Sequence, residues 1–353
     1  MMLDAVTKGR NNNLDMIRFI AAVLVILSHA FPLALGKGVL DPLAKLTDDQ
    51  ISFGSLAVGI FFVYGGFLIA KSMCRIEKTG AYYKARIARI FPPLIVVTLV
   101  LVFIMGPIVT SLSAGKYFTS AGTYKYLLNG VLVLQHNLPG VFEENIYGAA
   151  VNGPLWTLPI EFLGYVMCWV LYKLRLMDKK SMCITIVLFS VGCIGADVLS
   201  GRIAVLASMI RPMGLFFAGM VYYVYREHIR MNGWLCLFSL AAMALSAVLG
   251  VLPYTIFVFF PYFFFYIGFA CPVKFAGFAK HGEVSYGMYL CAWPIQQILC
   301  MILAGADGTM SPWMNFVITV PLSVLFGYLL HKGVEQPVLR VMKKESGHRQ
   351  KEA

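Results

Sequence analysis

Residues 14–35 read LDMIRFIAAVLVILSHAFPLAL, a largely apolar run whose ionisable residues are Asp15, Arg18 and His29. About 20 such residues cross a bilayer as a helix, so this stretch predicts a membrane span. Arg18 and His29 are eleven residues apart. On a helix that is about 1100°, three turns plus roughly 20°, and a rise of about 16 Å. The two side chains share one face, the guanidinium near one membrane edge and the imidazole deep inside. An ionisable residue inside a bilayer is costly and marks a candidate functional site. Lys8 and Arg10 ahead of the run give it the look of a secretion signal. Its length, its three ionisable residues and the lack of an A-x-A site argue for a retained helix.

Working outward, the chain has 353 residues, 59% hydrophobic and 13% charged, with mean hydropathy +0.76. Soluble domains carry about 25% charged residues, so the composition points to a multi-spanning membrane protein. Ten apolar runs qualify as spans, near 14–35, 54–71, 91–112, 154–172, 182–199, 204–224, 234–250, 254–271, 283–304 and 313–333. The connections on one side then hold 23 of the 29 Lys and Arg residues, leaving Lys37, Lys45, Lys116, Lys125, Arg202 and Arg211 to the other. The positive-inside rule makes the basic side cytoplasmic, with both termini inside. The net charge of +12 is thus a topology signal and not a nucleic-acid one. The expected fold is an all-α bundle of about ten transmembrane helices in the cell (inner, cytoplasmic) membrane. It divides into a cytoplasmic segment 1–13, a membrane domain 14–333 and a basic cytoplasmic tail 334–353, with no appended soluble domain expected. Residues 124–136, YKYLLNGVLVLQH, are apolar but short. Counting them as a span would move the Lys173–Lys180 cluster outside, so 113–153 reads as one external segment with a short surface or re-entrant helix. The eight cysteines, Cys193 among them, fall in apolar runs without metal spacing and read as small hydrophobes; no metal site is expected.

Three ionisable groups share the outer half of the membrane. His29 lies roughly 8–10 Å below the outer edge, and Glu161 in NGPLWTLPIEF about 10 Å deep, with Arg211 at a similar level. Charges at such depth face the bundle and pair. The bland alternatives are a neutral histidine bonded to a helix carbonyl, and an Arg211 that braces the helix before Pro212. On the cytoplasmic side, KARIARIFPPL sets Arg86 and Arg89 one turn apart. Two planar forks on one face suit phosphate, or are simply topogenic, as Lys84 is. The glycines of SFGSLAVGIFFVYGGFLI suit close helix packing or leave room for a thin ligand. Pro294 predicts a kink. His136, His228, His281, His331 and His348, near edges or in the tail, read as solvated or interfacial.

These segments, in this order, resemble the acyltransferase-3 family of integral-membrane acyltransferases over most of the chain. LDMIRFIAAVLVILSH carries its R-x10-H as Arg18 and His29. FFVYGGFLI is similar to FFxxSGFLI, with Gly65 in the serine position, and RIARIFPP carries R-x-x-R as Arg86 and Arg89. PLWTLPIEF resembles the LWSLxxE segment, whose glutamate is Glu161 here, SYGMYLCAWPI is similar to SYxxYLxHxP, and VEQP supplies Glu335 and Pro337. One departure stands out: Ala292 occupies the place of the late histidine. The resemblance implies transfer of an acyl group, commonly acetyl from cytoplasmic acetyl-CoA, to a hydroxyl of a surface polysaccharide or lipid-linked glycan. Arg18, Arg86 and Arg89 would then hold CoA phosphates, His29 would be the general base and Glu161 its orienting carboxylate. Acyl-CoA, a glycan acceptor and membrane lipids are the expected partners, with no nucleic acid. The rival expectation is a transporter or exporter of a small polar molecule or glycan, since polar groups at mid-membrane suit either.

Overall fold

The computed structural model describes residues 1–9, 11–76, 78–198, 204–275, 277–280 and 282–342, side chains at 193, 196–198 and 204–208 excepted. Arg10, Arg202, His281, His348, the tail beyond 342 and the Cys193 side chain lie outside the described residues. Every apolar run becomes helical. The order is α1 Leu14–Leu35, α2 Phe53–Met73, α3 Thr79–Val100, α4 Thr157–Lys173, α5 Lys179–Val198, α6 Ala204–Val224, α7 Gly233–Val248, α8 Leu252–Phe265, α9 Ser285–Leu303 and α10 Pro312–Leu330. Single π turns extend α3, α8 and α10 over Leu101–Met105, Tyr266–Ala270 and His331–Glu335. Among the described residues there is no strand, only two isolated bridges, Met2 with Arg230 and Asn137 with Ala150.

Among the described residues seven stretches are long and apolar enough to cross a membrane: Leu14–Leu35, Phe53–Met73, Thr79–Val109, Gly153–Lys173, Leu252–Ala270, Ser285–Leu303 and Pro312–Met342. Met209–Val224 and Gly233–Val248 are apolar but shorter. The protein is therefore a helical, multi-pass membrane protein. The third helix begins at Thr79, twelve residues before the expected span. Hydropathy marks where a helix becomes apolar, whereas its start is set by where backbone bonding begins. Arg86 and Arg89 consequently lie within α3.

The chain divides into two compact units. The first comprises Met1–Val25, Leu40–Glu77 and Ile160–Ala279. Two of its helix starts carry side-chain caps. Ser52 and Ser55 form a reciprocal capping box on α2, and Asn232 caps α7 through the Trp234 N–H. Within the unit α2 and α6 meet backbone to backbone. A Cβ on Gly66 would fall 2.8 Å from the Phe216 carbonyl carbon, and one on Gly219 2.9 Å from the Phe67 nitrogen. Packing therefore accounts for Gly66, while Gly65 faces only the Phe216 ring at 3.8 Å. The chain start is latched by Asn13, whose Nδ2 donates to the Ile267 and Val273 carbonyls, each at 2.9 Å, while its Oδ1 accepts from the Phe275 N–H at 2.8 Å.

The second unit comprises Ile26–Val39, Lys78–Pro159 and Lys280–Ala353. Here Gly287 of α9 packs on Gly327 of α10, a Cβ at the former meeting the Gly327 Cα at 2.6 Å. Buried Asn315 ties the pair, donating to the Gln296 carbonyl at 3.1 Å. The expected surface helix of 113–153 resolves into two short helices, Ala114–Thr119 and Ala121–Lys125, and a 3-10 turn, Tyr126–Val131. They fold onto the end of α3: the Tyr117 hydroxyl donates to the Val102 carbonyl at 2.9 Å, inside the π turn. A π turn leaves carbonyls short of helical partners, and this phenol supplies one.

Candidate active site

His29 sits in the second unit, on the C-terminal half of α1. Its ring meets the edge of the Trp293 indole, centroids 4.9 Å apart at 75°. Trp293 is itself fixed on several sides. Its Nε1–H donates to the Ala150 carbonyl at 2.8 Å, and Tyr147 packs edge-on against it at 5.0 Å. The indole also lies flush on Gly153, where a Cβ would come within 2.9 Å of it; only glycine permits that approach. Burial pushes the Tyr147 phenol above its ordinary value, so it stays protonated.

The loop 145–153 is clamped to α9 by amides. Gln297 Nε2 donates to the Gly148 and Ala150 carbonyls at 2.9 and 3.0 Å, and Asn145 Nδ2 donates to Gln297 Oε1 at 2.7 Å. Asn152 Nδ2 donates to the Leu290 carbonyl at 2.9 Å. From the same helix Gln296 Nε2 donates to the Ile26 carbonyl of α1 at 2.9 Å, and the Cys300 thiol to that of Leu33 at 3.3 Å. The His29 turn is thus held by α9, and α9 in turn holds the loop beside it. None of Asn145, Asn152, Trp293, Gln296 or Gln297 was singled out from the sequence as a site residue. The available signal was WPIQQ: two adjacent amides within an apolar span need partners, because lipid offers none.

Arg86 and Arg89 lie on α3 in the same unit. The Arg86 guanidinium stacks over the Tyr82 ring at 5.1 Å. Arg89 Nη2 lies 3.7 Å from Glu283 Oε2, with its side chain 44% exposed. The motif glutamate Glu335 meets His331 Nδ1 at 2.9 Å. His331, read from its edge position as solvated or interfacial, is not solvated: it is buried and packs against Gly282, whose missing side chain makes room for the ring. Ala292 is also buried, at 3% exposure.

Arg18, Glu161 and Arg211 belong to the first unit, each partly buried. The Tyr165 hydroxyl, one turn on, donates to Glu161 Oε1. α1 is unbroken from Leu14 to Leu35, so the Arg18–His29 spacing is helical throughout. No three His, Cys, Asp or Glu side chains gather to hold a metal ion among the described residues.

Residues 11–332 match the acyltransferase domain of the acyltransferase-3 family. An O-acetyl transferase of Shigella phage Sf6 is 29% identical over 296 residues, covering 82% of this chain and 86% of that protein. Nodulation protein 10 of Rhizobium leguminosarum bv. viciae is 27% identical over 53% of this chain and 51% of its own. The acyltransferase MdmB of Streptomyces mycarofaciens is 32% identical over 35% of this chain and 30% of its own. No solved structure matches. With its match running from the start of α1 to the end of α10, the chain belongs to the acyltransferase-3 family and is a membrane acyltransferase.

Proposed function

We propose that the protein moves an acyl group, acetyl in the simplest case, from cytoplasmic acyl-CoA to a hydroxyl of a cell-surface polysaccharide or lipid-linked glycan. His29 held against Trp293 on the helix that also bears Arg18 is the observation that carries this reading. The similarity to a phage O-acetyl transferase along most of both chains supports it. In the proposed topology ten helices cross the inner membrane, both termini are cytoplasmic and residues 113–153 are external.

Arg86, Arg89 and Arg18 would bind the donor's phosphates from the cytoplasmic side. The rise from Arg18 to His29, about 16 Å, is comparable to an extended pantetheine arm, so the thioester reaches the outer half while the nucleotide stays inside. His29 takes the proton from the acceptor hydroxyl as that oxygen bonds the thioester carbonyl carbon. The carbon–sulfur bond then breaks, and His29 returns the proton to the departing thiolate. An imidazole, which can both accept and return a proton, suits both duties. Glu161, at the depth of His29 by helix register, would orient the ring and stabilise the imidazolium.

Thiol release from acetyl-CoA by membranes of the source cells, which contain the acceptor, tests the reading, alongside the O-acyl ester content of surface glycans. His29→Ala should abolish both while leaving the protein folded; retained release removes the base role. Arg86→Ala should raise the donor KM about tenfold, the loss of one charge-assisted phosphate contact; an unchanged KM refutes the phosphate assignment. A transporter would leave the thioester intact in every arm.

A further inference from the structure

We propose that Gln296 is a positioning residue for the transfer step. Its amide N–H holds the turn of α1 that carries His29, and its carbonyl oxygen receives the ring once His29 has taken the acceptor's proton. This rests on the reading of His29 as the base.

Gln296 Nε2 donates to the carbonyl of Ile26, three residues before His29. Helical side chains lean back over the turn that precedes them, so the imidazole leans toward the turn that Gln296 grips. Trp293, three residues earlier and on the same face of α9, touches the imidazole itself. Gln296 is wholly buried, and its Oε1 has no hydrogen-bond partner among the described residues. Buried amide oxygens are rarely left so without a reason. The chemistry supplies one. Neutral imidazole has one N–H, whereas the imidazolium formed in the step has two and needs a further acceptor. A preorganised oxygen that bonds only the protonated ring assists the step and not the resting state. Ala292, where the family resemblance places a histidine, is one turn earlier on this face. Other titratable groups on the elements packed here include Tyr147, with Lys37 over its ring, Tyr286 bonded to the Ile90 carbonyl, Tyr289 bonded to Thr157, Cys291, and Cys300 bonded to the Leu33 carbonyl.

The test is thiol release from acetyl-CoA by acceptor-containing membranes across about pH 5–9, the range in which imidazole titrates. Wild type, Gln296→Leu, Gln296→Glu and His29→Ala are compared at equal amounts of folded protein. Gln296→Leu should lower the plateau rate about tenfold to a hundredfold, as loss of catalytic positioning does. It should also move the acid limb to lower pH, because the imidazolium loses an acceptor, while the donor KM stays unchanged. Gln296→Glu should move that limb to higher pH, since a carboxylate favours the charged ring. A merely structural role would reduce folded protein without moving the limb. Should the Leu variant fail to fold, the near-isosteric Glu variant decides by its limb alone. Wild-type plateau and limb in the Gln296 variants, with His29→Ala inactive, overturn the inference and leave the base reading standing. Full activity of His29→Ala overturns both.

Discussion

Gly65 and Gly66 are neighbours in one motif, yet alanine should act on them with opposite sign. At Gly66 the added Cβ would meet the Phe216 carbonyl, 2.8 Å from its carbon and closer still to its oxygen. Ordinary carbon contacts begin near 3.5 Å, so α2 and α6 must part by about 0.7 Å or more. The neighbour is backbone within a helix and cannot rotate away. Overpacking of this kind costs up to about 3 kcal/mol, against a gain in helix propensity of about 1 kcal/mol for Gly→Ala. The net loss is about 2 kcal/mol. At the usual unfolding entropy of about 2.1 cal/mol/K per residue, 353 residues make that a fall in Tm of about 3 °C. Helices that survive in detergent shrink the entropy and enlarge the shift. At Gly65 the Cβ meets only the Phe216 ring, at 3.8 Å, so the propensity gain stands and Tm holds or rises. Serine, the residue that the family motif places there, should be accepted equally. Thermal unfolding of the purified protein in detergent, read by monodisperse elution after heating, measures all three variants. A Gly66→Ala protein as stable as wild type would refute the close contact, because propensity alone predicts stabilisation.

Gly153→Ala should push the indole of Trp293 off its seat, where the new Cβ would lie 2.9 Å from the ring, and lower thiol release about tenfold or more with Tm little changed; unaltered release would separate Trp293 from the site. Asn315→Leu removes wholly buried hydrogen bonds to the Gln296 carbonyl and the Cys300 sulfur. It should nonetheless cost only about 0.6–1.7 kcal/mol, the range for such bonds inside membranes, as read from unfolding in detergent. Asp4 is held below its ordinary carboxylate value, first by its hydrogen bond with Lys8 and then by Arg226. A depressed folded pKa adds stability above the unfolded value, lost as pH falls through the folded one. Asp4→Asn should therefore be less stable than wild type at pH 7 by under about 1 kcal/mol. The difference should close as pH drops below about 3.8, the unperturbed value; a gap that persists in acid would mean that the ion pairs are not its cause.

Much of the candidate site can be read from residue order, and the unread part has a common cause. Arg18, His29, Arg86, Arg89 and Glu161 announce themselves because a charge in an apolar run is conspicuous and helix geometry converts spacing into depth. Trp293 and Gln296 do not, since an aromatic in a membrane helix is ordinary and a glutamine is only mildly polar. What matters about them is which carbonyl or ring they reach across the bundle. His331 illustrates the reverse error. Its place near a span end suggested solvent, but Gly282 lets it pack inward onto the structure and Glu335 pairs with it.

By itself the sequence determined that the chain is a helical membrane protein, where its helices run, and that an arginine and a histidine stand three turns apart on one of them. Those properties are local: hydropathy, the 3.6-residue repeat and the cost of charge in lipid need no knowledge of neighbours. Only the tertiary structure decided that Gly66 and not Gly65 is the contact point of α2, and that α9 grips the His29 turn through Gln296 and Trp293. Every helix here presents apolar surface to lipid and protein alike. Which face meets which partner is therefore settled by close packing and by pairing of the few buried polar groups, and both depend on residues far apart in the chain.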